Sequence, residues 1–418
     1  MVVAVALVTV AGIILTDTDH RPTTSGIDLP DAVHPGVVRR VELAPCAGTG
    51  PDGPECRAVV VELTGGPDRG ETRLLEYGLE QPESLRLHTG DRVVLNHFPE
   101  NDERFDYQLA DRQRRPTLYL LAGLFAIAVV MMGRWRGLAA LGGLIVSIAV
   151  IVRFSLPAVL AGGSPIVVAV LSAIAIAYCA LYLAHGFNAL TSVALLGTVG
   201  ALAITVFLSW LFSNAANFTG LASDDAGLLQ TLVGEVDIVG LLLAGTVIGA
   251  LGALDDMTVT QASAVAELHA ANPLLPARQL YVRGMRIGRD HISSTVNTLA
   301  LAYVGASLPT FLIFAVSAQS LGTIANSETV AVEIVRTLVG SIGLVAAVPI
   351  TTALAAFVVG AGLHERAAPN RGREPRAPRP RPARATRSVP PDADTAATRS
   401  EIAPISADED FWSRRRRR

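Results

Sequence analysis

Hydrophobic residues fall in long uninterrupted runs over most of this chain, and the runs have the length of membrane-spanning helices. A helix needs about 20 consecutive apolar residues to cross a bilayer upright. Hydropathy at that scale gives a short first run, 1–15, followed by seven others. These are 117–132, 138–152, 165–184, 189–212, 236–254, 296–316 and 338–363. The pattern predicts a polytopic, predominantly α-helical membrane bundle of about eight spans.

The first run has two interpretations. It is uncharged and only 15 residues long, which suits either a membrane anchor or the apolar region of a signal peptide. A signal peptide normally has a basic start and a small-x-small cleavage site, and neither occurs before Thr16 and Asp17. A start codon placed too late would explain both defects. We therefore predict an uncleaved anchor over residues 1–16.

A polar segment, 17–115, separates the first run from the second and has the pattern of a small β domain. Short stretches rich in β-branched and aromatic residues alternate with Gly/Pro turns. The predicted strands are 37–43, 57–63, 72–77, 92–97 and 105–109. Five such strands suggest a compact barrel or sandwich, with the OB-like barrel as one form. Cys46 and Cys56 are close enough in sequence to form a disulfide, which predicts an oxidising exterior for this domain.

The C-terminal segment, 364–418, is rich in Arg, Pro, Ala, Ser and Thr. It cannot bury enough apolar surface to fold, so we predict a disordered tail. Such a tail is attracted to anionic lipid head groups by about 1 kcal/mol per basic residue near the surface. Nucleic-acid binding is disfavoured because no aromatic residue lies among the arginines before Phe411.

Composition and charge narrow the class and the orientation. With 50% hydrophobic and 17% charged residues, the chain is not an ordinary soluble domain. Arginines occur in the connection 133–137 and again between residues 278 and 289, and such connections face the cytoplasm. Eight spans then put both termini in the cytoplasm and residues 17–115 outside. We expect the span-bearing part, 116–363, to begin and end on opposite sides.

Two polar runs interrupt the apolar second half, at 254–261 and 288–298. Ionisable residues within or beside membrane spans are costly, so they indicate a functional site by default. The candidate polar site consists of Asp255, Asp256, Thr258, Thr260, Gln261, Glu267, Arg289, Asp290, His291, Asn297 and Thr298.

Several interpretations of these residues remain open. Carboxylates with His269 and His291 are suitable ligands for a divalent cation, although their spacing matches no metal motif. Alternatively, Asp255 and Asp256 cap an interfacial helix that runs from Thr258 to a stop at Asn272-Pro273, and pair with Arg289. Asn and Thr in the seventh span also serve as interhelical hydrogen-bonding groups. We expect Glu333 and Arg336 to form a local ion pair, since they are three residues apart.

This region contains several long motifs. They read LGALDD-x-TVTQAS at 251–263, E-L-x-x-A-N-P at 267–273 and a GRDHI-led run at 288–309, with further motifs at 333–344 and 348–352. In this order they resemble the YibE/F-like family of bacterial membrane proteins, and the resemblance extends over roughly 111–363. It implies a multi-pass protein of the bacterial plasma membrane, and it names no reaction.

Two classes of function follow. The leading hypothesis is a permease or transport-related component of unknown substrate, because Gly- and Pro-marked helices carry polar residues into an apolar bundle. The alternative is a non-transporting envelope protein that acts as an interaction scaffold. An enzyme is disfavoured, since the His-Glu-x-x-His and Gly-x-Ser-x-Gly patterns are absent. No cofactor is implied; the expected partners are the lipid bilayer and a second copy or a related membrane protein.

Overall fold

The computed structural model describes residues 1–16, 18, 30–46, 54–78, 83, 86–99, 106–234, 236–317 and 319–366. The predicted tail, 364–418, lies outside these residues apart from its first three, which are the end of the last helix. The first residues of the predicted extracytoplasmic domain and part of its Cys46–Cys56 loop also lie outside them.

The described helices follow the predicted apolar runs closely. They are α1 (Val2–Leu15), α2 (Arg115–Val150), a π-helical turn (Ile151–Ser155), α3 (Leu156–Leu160), α4 (Pro165–His185), α5 (Ala189–Ala215), α6 (Asp224–Val233), α7 (Ile238–Ala271), α8 (Ala277–Ala306), α9 (Leu308–Val316), α10 (Leu321–Asn326) and α11 (Glu328–Arg366). By length and composition, five helical segments could cross a membrane: 115–160, α4, α5, α7 and α11. A sixth results if α8 and α9, bent by 61° at Ser307, form one span. The predicted count of eight is therefore not confirmed by these criteria, and α1 is a shorter apolar helix.

Arg134 breaks α2 at the boundary predicted between the second and third runs. Its backbone angles, φ 53° and ψ −126°, are not helical. Beyond the break, Gly137 lies against the backbone carbonyl of Val129. Eight residues of unbroken helix would separate these positions by about 12 Å, so the chain must turn back on itself here. A side chain at Gly137 would collide with that carbonyl, which explains the glycine.

One predicted helix boundary is wrong. α7 runs unbroken through Asp255 and Asp256, so these residues do not cap a separate helix that begins near Thr258. Asp237 caps α7 instead, with its side chain accepting a hydrogen bond from the Gly240 amide at 2.8 Å. The predicted stop is confirmed: α7 ends at Ala271, before Asn272 and Pro273. Helix α8 begins at Ala277, so it includes the basic segment that precedes the seventh apolar run.

The polar segment forms one antiparallel sheet of five strands: β1 (Ala32–Pro45), β2 (Glu55–Leu63), β3 (Thr72–Gly78), β4 (Arg92–His97) and β5 (Tyr107–Arg112). Their order is β3-β2-β1-β4-β5. Arg73 at one edge bonds Asp106 beside the other at 3.2 Å, so the sheet curls into a half-barrel. Val59, Val61, Leu63, Val93 and Leu95 are fully buried inside the curl. The predicted disulfide joins Cys46 to Cys56 across the β1–β2 hairpin, with Cα atoms 4.9 Å apart.

The helical bundle has two chemically different ends. At one, which we call the arginine end, Arg136 shares a cleft with His185, Asn188 and Ser263, close to where α7 gives way to α8. At the other, the acidic end, Glu328 accepts hydrogen bonds from the amides of Thr219 and Gly220. The connections predicted to share one side of the membrane therefore do lie together at one end of the bundle.

Candidate functional site

The faces of α7 and α8 divide the predicted site residues into two groups. Thr258 and Gln261 are buried, and Asp255 and His291 are partly buried. The remaining candidates are exposed: Asp256, Thr260, Glu267, Arg289, Asp290, Asn297 and Thr298. Positions 254, 258, 261 and 265 form one helical stripe of α7, facing the bundle, while 256, 260, 263 and 267 form the opposite stripe. The two polar runs consequently do not converge on one cavity.

The buried candidates belong to a polar cluster that draws on three helices. We call it the polar core; it consists of Thr198 on α5, Asp255, Thr258 and Gln261 on α7, and Thr351 and Thr352 on α11. All four threonines have no exposed surface. Burying so many polar groups among apolar helices is unfavourable unless they bond to one another or to a ligand.

Gln261 joins α7 to α8 and to α11. Its side-chain amide nitrogen donates to the Gly284 carbonyl oxygen of α8 at 2.9 Å and to the Thr352 hydroxyl oxygen at 2.7 Å. The Thr352 hydroxyl in turn donates to the Val348 carbonyl at 2.6 Å. A Cβ atom at Gly284 would lie 2.9 Å from the Thr352 methyl, and one at Gly288 would lie 2.9 Å from the Gln261 side-chain oxygen. Glycine at both positions thus lets α8 approach the polar core.

The other half of the polar core is incompletely bonded. The hydroxyls of Thr198 and Thr258 are 2.8 Å apart, and the Asp255 carboxylate interacts with the Thr198 hydroxyl. Within the described part of the chain, however, Asp255 Oδ1 and Thr351 Oγ1 are buried and make no hydrogen bond. A buried acceptor without a partner costs about 1–3 kcal/mol, so such atoms call for an explanation. Gly197 lies directly against the Thr351 hydroxyl and keeps the helices close.

A pocket of about 400 Å³ opens at the acidic end. It lies between α6, α7, α9 and α11, and the bend at Ser307 supplies one wall. Arg336 and Glu333 both line it and form the predicted local ion pair, with Nη1 and Oε1 2.7 Å apart. The Arg336 guanidinium lies 6.0 Å from the centre of the Tyr303 ring, and the Tyr303 hydroxyl lies over Gly249 of α7.

Sequence reasoning did not find this pocket. Its lining comes from segments more than 100 residues apart in the chain, which no local motif connects. The bend of α8 against α9 at Ser307, between Gly305 and Pro309, forms part of this wall.

The geometry bears on two interpretations of the polar runs, the ion pair with Arg289 and the divalent-cation site. Neither Asp255 nor Asp256 forms an ion pair with Arg289 among the residues that the structure describes. A group of metal-ligand type does occur in the described residues, but in the half-barrel, at Asp68, His97 and Asp106. There Arg73 already bonds Asp106, and the Tyr107 hydroxyl donates to Asp68 at 2.8 Å. Burial raises the pKa of Tyr107 above its usual range; the hydrogen bond to Asp68 and the charges of Asp68 and Asp106 add to this effect, and Arg73 opposes it.

Comparison with known proteins agrees with the motifs. The model of the YibE/F-like protein family matches residues 121–361, which is more than half of the chain and close to the 111–363 expected. No curated protein and no solved structure matches. Together with several apolar helices of spanning length, this match indicates a membrane protein. The chain belongs to the YibE/F-like family.

Proposed function

We propose that this protein is a permease of the bacterial plasma membrane. The observation that carries the proposal is the polar core, where two buried polar atoms lack a hydrogen-bond partner among the described residues of the helical bundle. Membrane proteins keep such groups chiefly along substrate, ion or proton pathways. A carboxylate among threonine hydroxyls is suited to binding a proton or a small cation that drives transport.

The path we propose follows α7 from one end of the bundle towards the other. It begins in the acidic-end pocket, passes Arg336 beside Gly245 and Tyr303 beside Gly249, and reaches Asp255 in the polar core. From position 245 to 255 the helix rises about 15 Å, half the hydrocarbon thickness of a bilayer. The bend at Ser307 and Pro349 inside α11 are interruptions of the kind that transporter helices use at their binding sites.

The proposed topology has eight crossings. α1 is the first, the two arms of α2 on either side of Arg134 are the second and third, and the bent pair of α8 and α9 is the seventh. The arginine end and both termini face the cytoplasm, and the half-barrel and the acidic end face the exterior. The basic tail then lies beside the anionic inner leaflet.

Proton flux into liposomes that contain the purified protein tests the proposal. An imposed membrane potential should drive acidification, followed with an enclosed pH dye. We expect Asp255→Asn to reduce the protein-dependent rate by about tenfold or more, since an amide cannot carry the proton that an intramembrane carboxylate relays.

The adjacent residue, Asp256, provides a matched control. Asp256→Asn makes the same change on the exposed stripe of α7 and should leave the rate unchanged. Loss of flux in Asp256→Asn and Asp290→Asn, with Asp255→Asn unaffected, would assign the pathway to the exposed residues instead. Equal rates for the wild type, every variant and empty liposomes would contradict a proton-coupled permease.

The scaffold alternative rests on a different observation. Asn297 and Thr298 are exposed on α8, at a level where a lone bundle would turn them towards lipid. Polar side chains in that position are more stable against another helix, from a second copy or a related membrane protein. Absence of flux together with a stoichiometric partner, lost when Asn297 and Thr298 are both changed to leucine, would favour this alternative.

A further inference from the structure

We propose that the acidic-end pocket binds a zwitterion with an apolar side chain, that is, an apolar α-amino acid. The inference gives the proposed permease a substrate class and rests on that function for its biological role. The binding itself is a separate claim about Arg336, Glu333 and the walls around them.

The pocket has the size and surroundings of a small-molecule site. Its volume of about 400 Å³ falls within the common range, about 300–1,000 Å³. About half of the wall surface is apolar and includes Ile238, Leu242, Phe311 and Val330; the rest is polar. Ligand pockets hold apolar groups against such apolar walls and use a few charged or polar groups to fix orientation. An aliphatic side chain of a ligand can lie against this apolar part of the wall.

The charges in the pocket come as one opposite pair. The side chains of Arg336 and Glu333 are 23% and 24% exposed, so each is largely enclosed but still reaches the pocket. A lone carboxylate or a lone amine would bring one unbalanced charge into this enclosed space, which is unfavourable. A zwitterion keeps the total charge at zero, with its carboxylate against Arg336 and its ammonium against Glu333. The pair therefore selects ligands that carry both charges.

The guanidinium is positioned for a carboxylate. Arg336 lies over the Tyr303 ring, and its Nη2 lies 3.8 Å from where a Cβ of Gly245 would be. Only Nη1 is bonded to Glu333, while Nε is buried and makes no hydrogen bond within the described residues. The remaining N–H groups of Nη1 and Nη2 can offer two parallel donors to a carboxylate, which an ammonium group cannot.

Calorimetric binding to the full-length protein in detergent tests the inference with three ligands of one shape. L-leucine carries both charges, leucinamide lacks the carboxylate, and 4-methylpentanoate lacks the ammonium. We expect leucine to bind, and each of the other two to bind at least about tenfold more weakly, because each loses one charge-assisted hydrogen bond. Equal binding of all three, or binding of none, would overturn the inference.

Variants locate the site. Glu333→Gln and Arg336→Gln should each weaken leucine binding at least about tenfold. Asp225→Asn removes an exposed carboxylate from the same end of the bundle and should leave binding unchanged. Thermal unfolding shows whether each variant is folded: a folded Glu333→Gln protein that binds leucine as the wild type does would overturn the assignment.

The two proposals fail separately. Proton flux that depends on Asp255 without any leucine binding would leave the permease in place and remove this substrate class. Leucine binding without flux would place an amino-acid site on a protein that does not transport protons.

Discussion

At the residue scale, the fate of each polar side chain depends on the face of the helix that carries it. Asp255 and Asp256 are neighbours in sequence, yet one reaches the polar core and the other is exposed. Successive residues of a helix point about 100° apart, so neighbouring side chains can face different environments. The sequence identified both as candidates but could not separate them, because polar residues occur on both stripes of α7: Thr258 and Gln261 on one, Thr260 and Glu267 on the other.

The residues from other helices that join Asp255 in the polar core could not be predicted from the sequence either. Thr198 and Thr351 lie on other helices, and a threonine in an apolar helix is ordinary until its neighbours are known. What the sequence did identify was Gln261, whose carboxamide is too polar to bury without partners.

Gly197 provides a residue-scale prediction about packing. A Cβ atom there would collide with Thr351 and lie 3.4 Å from the Thr258 methyl. We expect Gly197→Ala to destabilise the protein by about 1–3 kcal/mol through overpacking, seen as a lower melting temperature in detergent.

Gly252→Ala is the matched control, since nothing lies within 4 Å of the added methyl group. Alanine also has the higher helix propensity, so this variant should be neutral or slightly more stable. If the two alanine variants melted at the same temperature, α5 would not pack against α11 as described.

At the element scale, the sequence located helices and strands well and their ends poorly. The predicted strand 92–97 coincides with β4, because its alternating pattern is confined between turn residues. The predicted boundary at Asp255 failed because charged side chains do not by themselves end a helix. Helix α7 keeps its backbone hydrogen bonds past Asp255 and stops only where Asn272 and Pro273 cannot continue it.

The β1–β2 hairpin allows a prediction about the half-barrel. Its disulfide closes a loop between residues 10 positions apart. Changing both Cys46 and Cys56 to serine should destabilise the half-barrel by about 2–3 kcal/mol in the loop-entropy model. Native-state proteolysis of the full-length protein measures this change.

Cys179→Ser in α4 controls for the loss of a sulfur atom and should leave proteolysis of the half-barrel unchanged. Equal cleavage rates for the double variant and this control would show that the hairpin is held by its strand pairing alone.

At the scale of the whole molecule, charge separates the two ends of the bundle. The order of the spans predicted which connections share a side, because successive connections alternate between the two sides of the membrane. The arginines then indicated which side is cytoplasmic. The pocket could not be predicted in this way, because its walls are defined by how α6, α9 and α11 pack.

Cysteine labelling in intact cells tests the proposed orientation. In a Cys179→Ala background, we expect Asp225→Cys to react with a membrane-impermeant thiol reagent, because the proposed topology places the acidic end outside. Arg286→Cys should react only after the membrane is permeabilised. Both positions are exposed in the fold, so accessibility differs only through the membrane. The reverse pattern would invert the topology.

The tight turn at Arg134 also bears on how the protein enters the membrane. The two arms of α2 are so close at the turn that Gly137 touches the Val129 carbonyl. Because no loop separates the two arms, the translocon cannot orient the first arm independently of the second. We expect the arms to insert together as a helical hairpin, with Arg134 and Arg136 keeping its tip in the cytoplasm. Insertion of the second crossing would then also fix the orientation of the third.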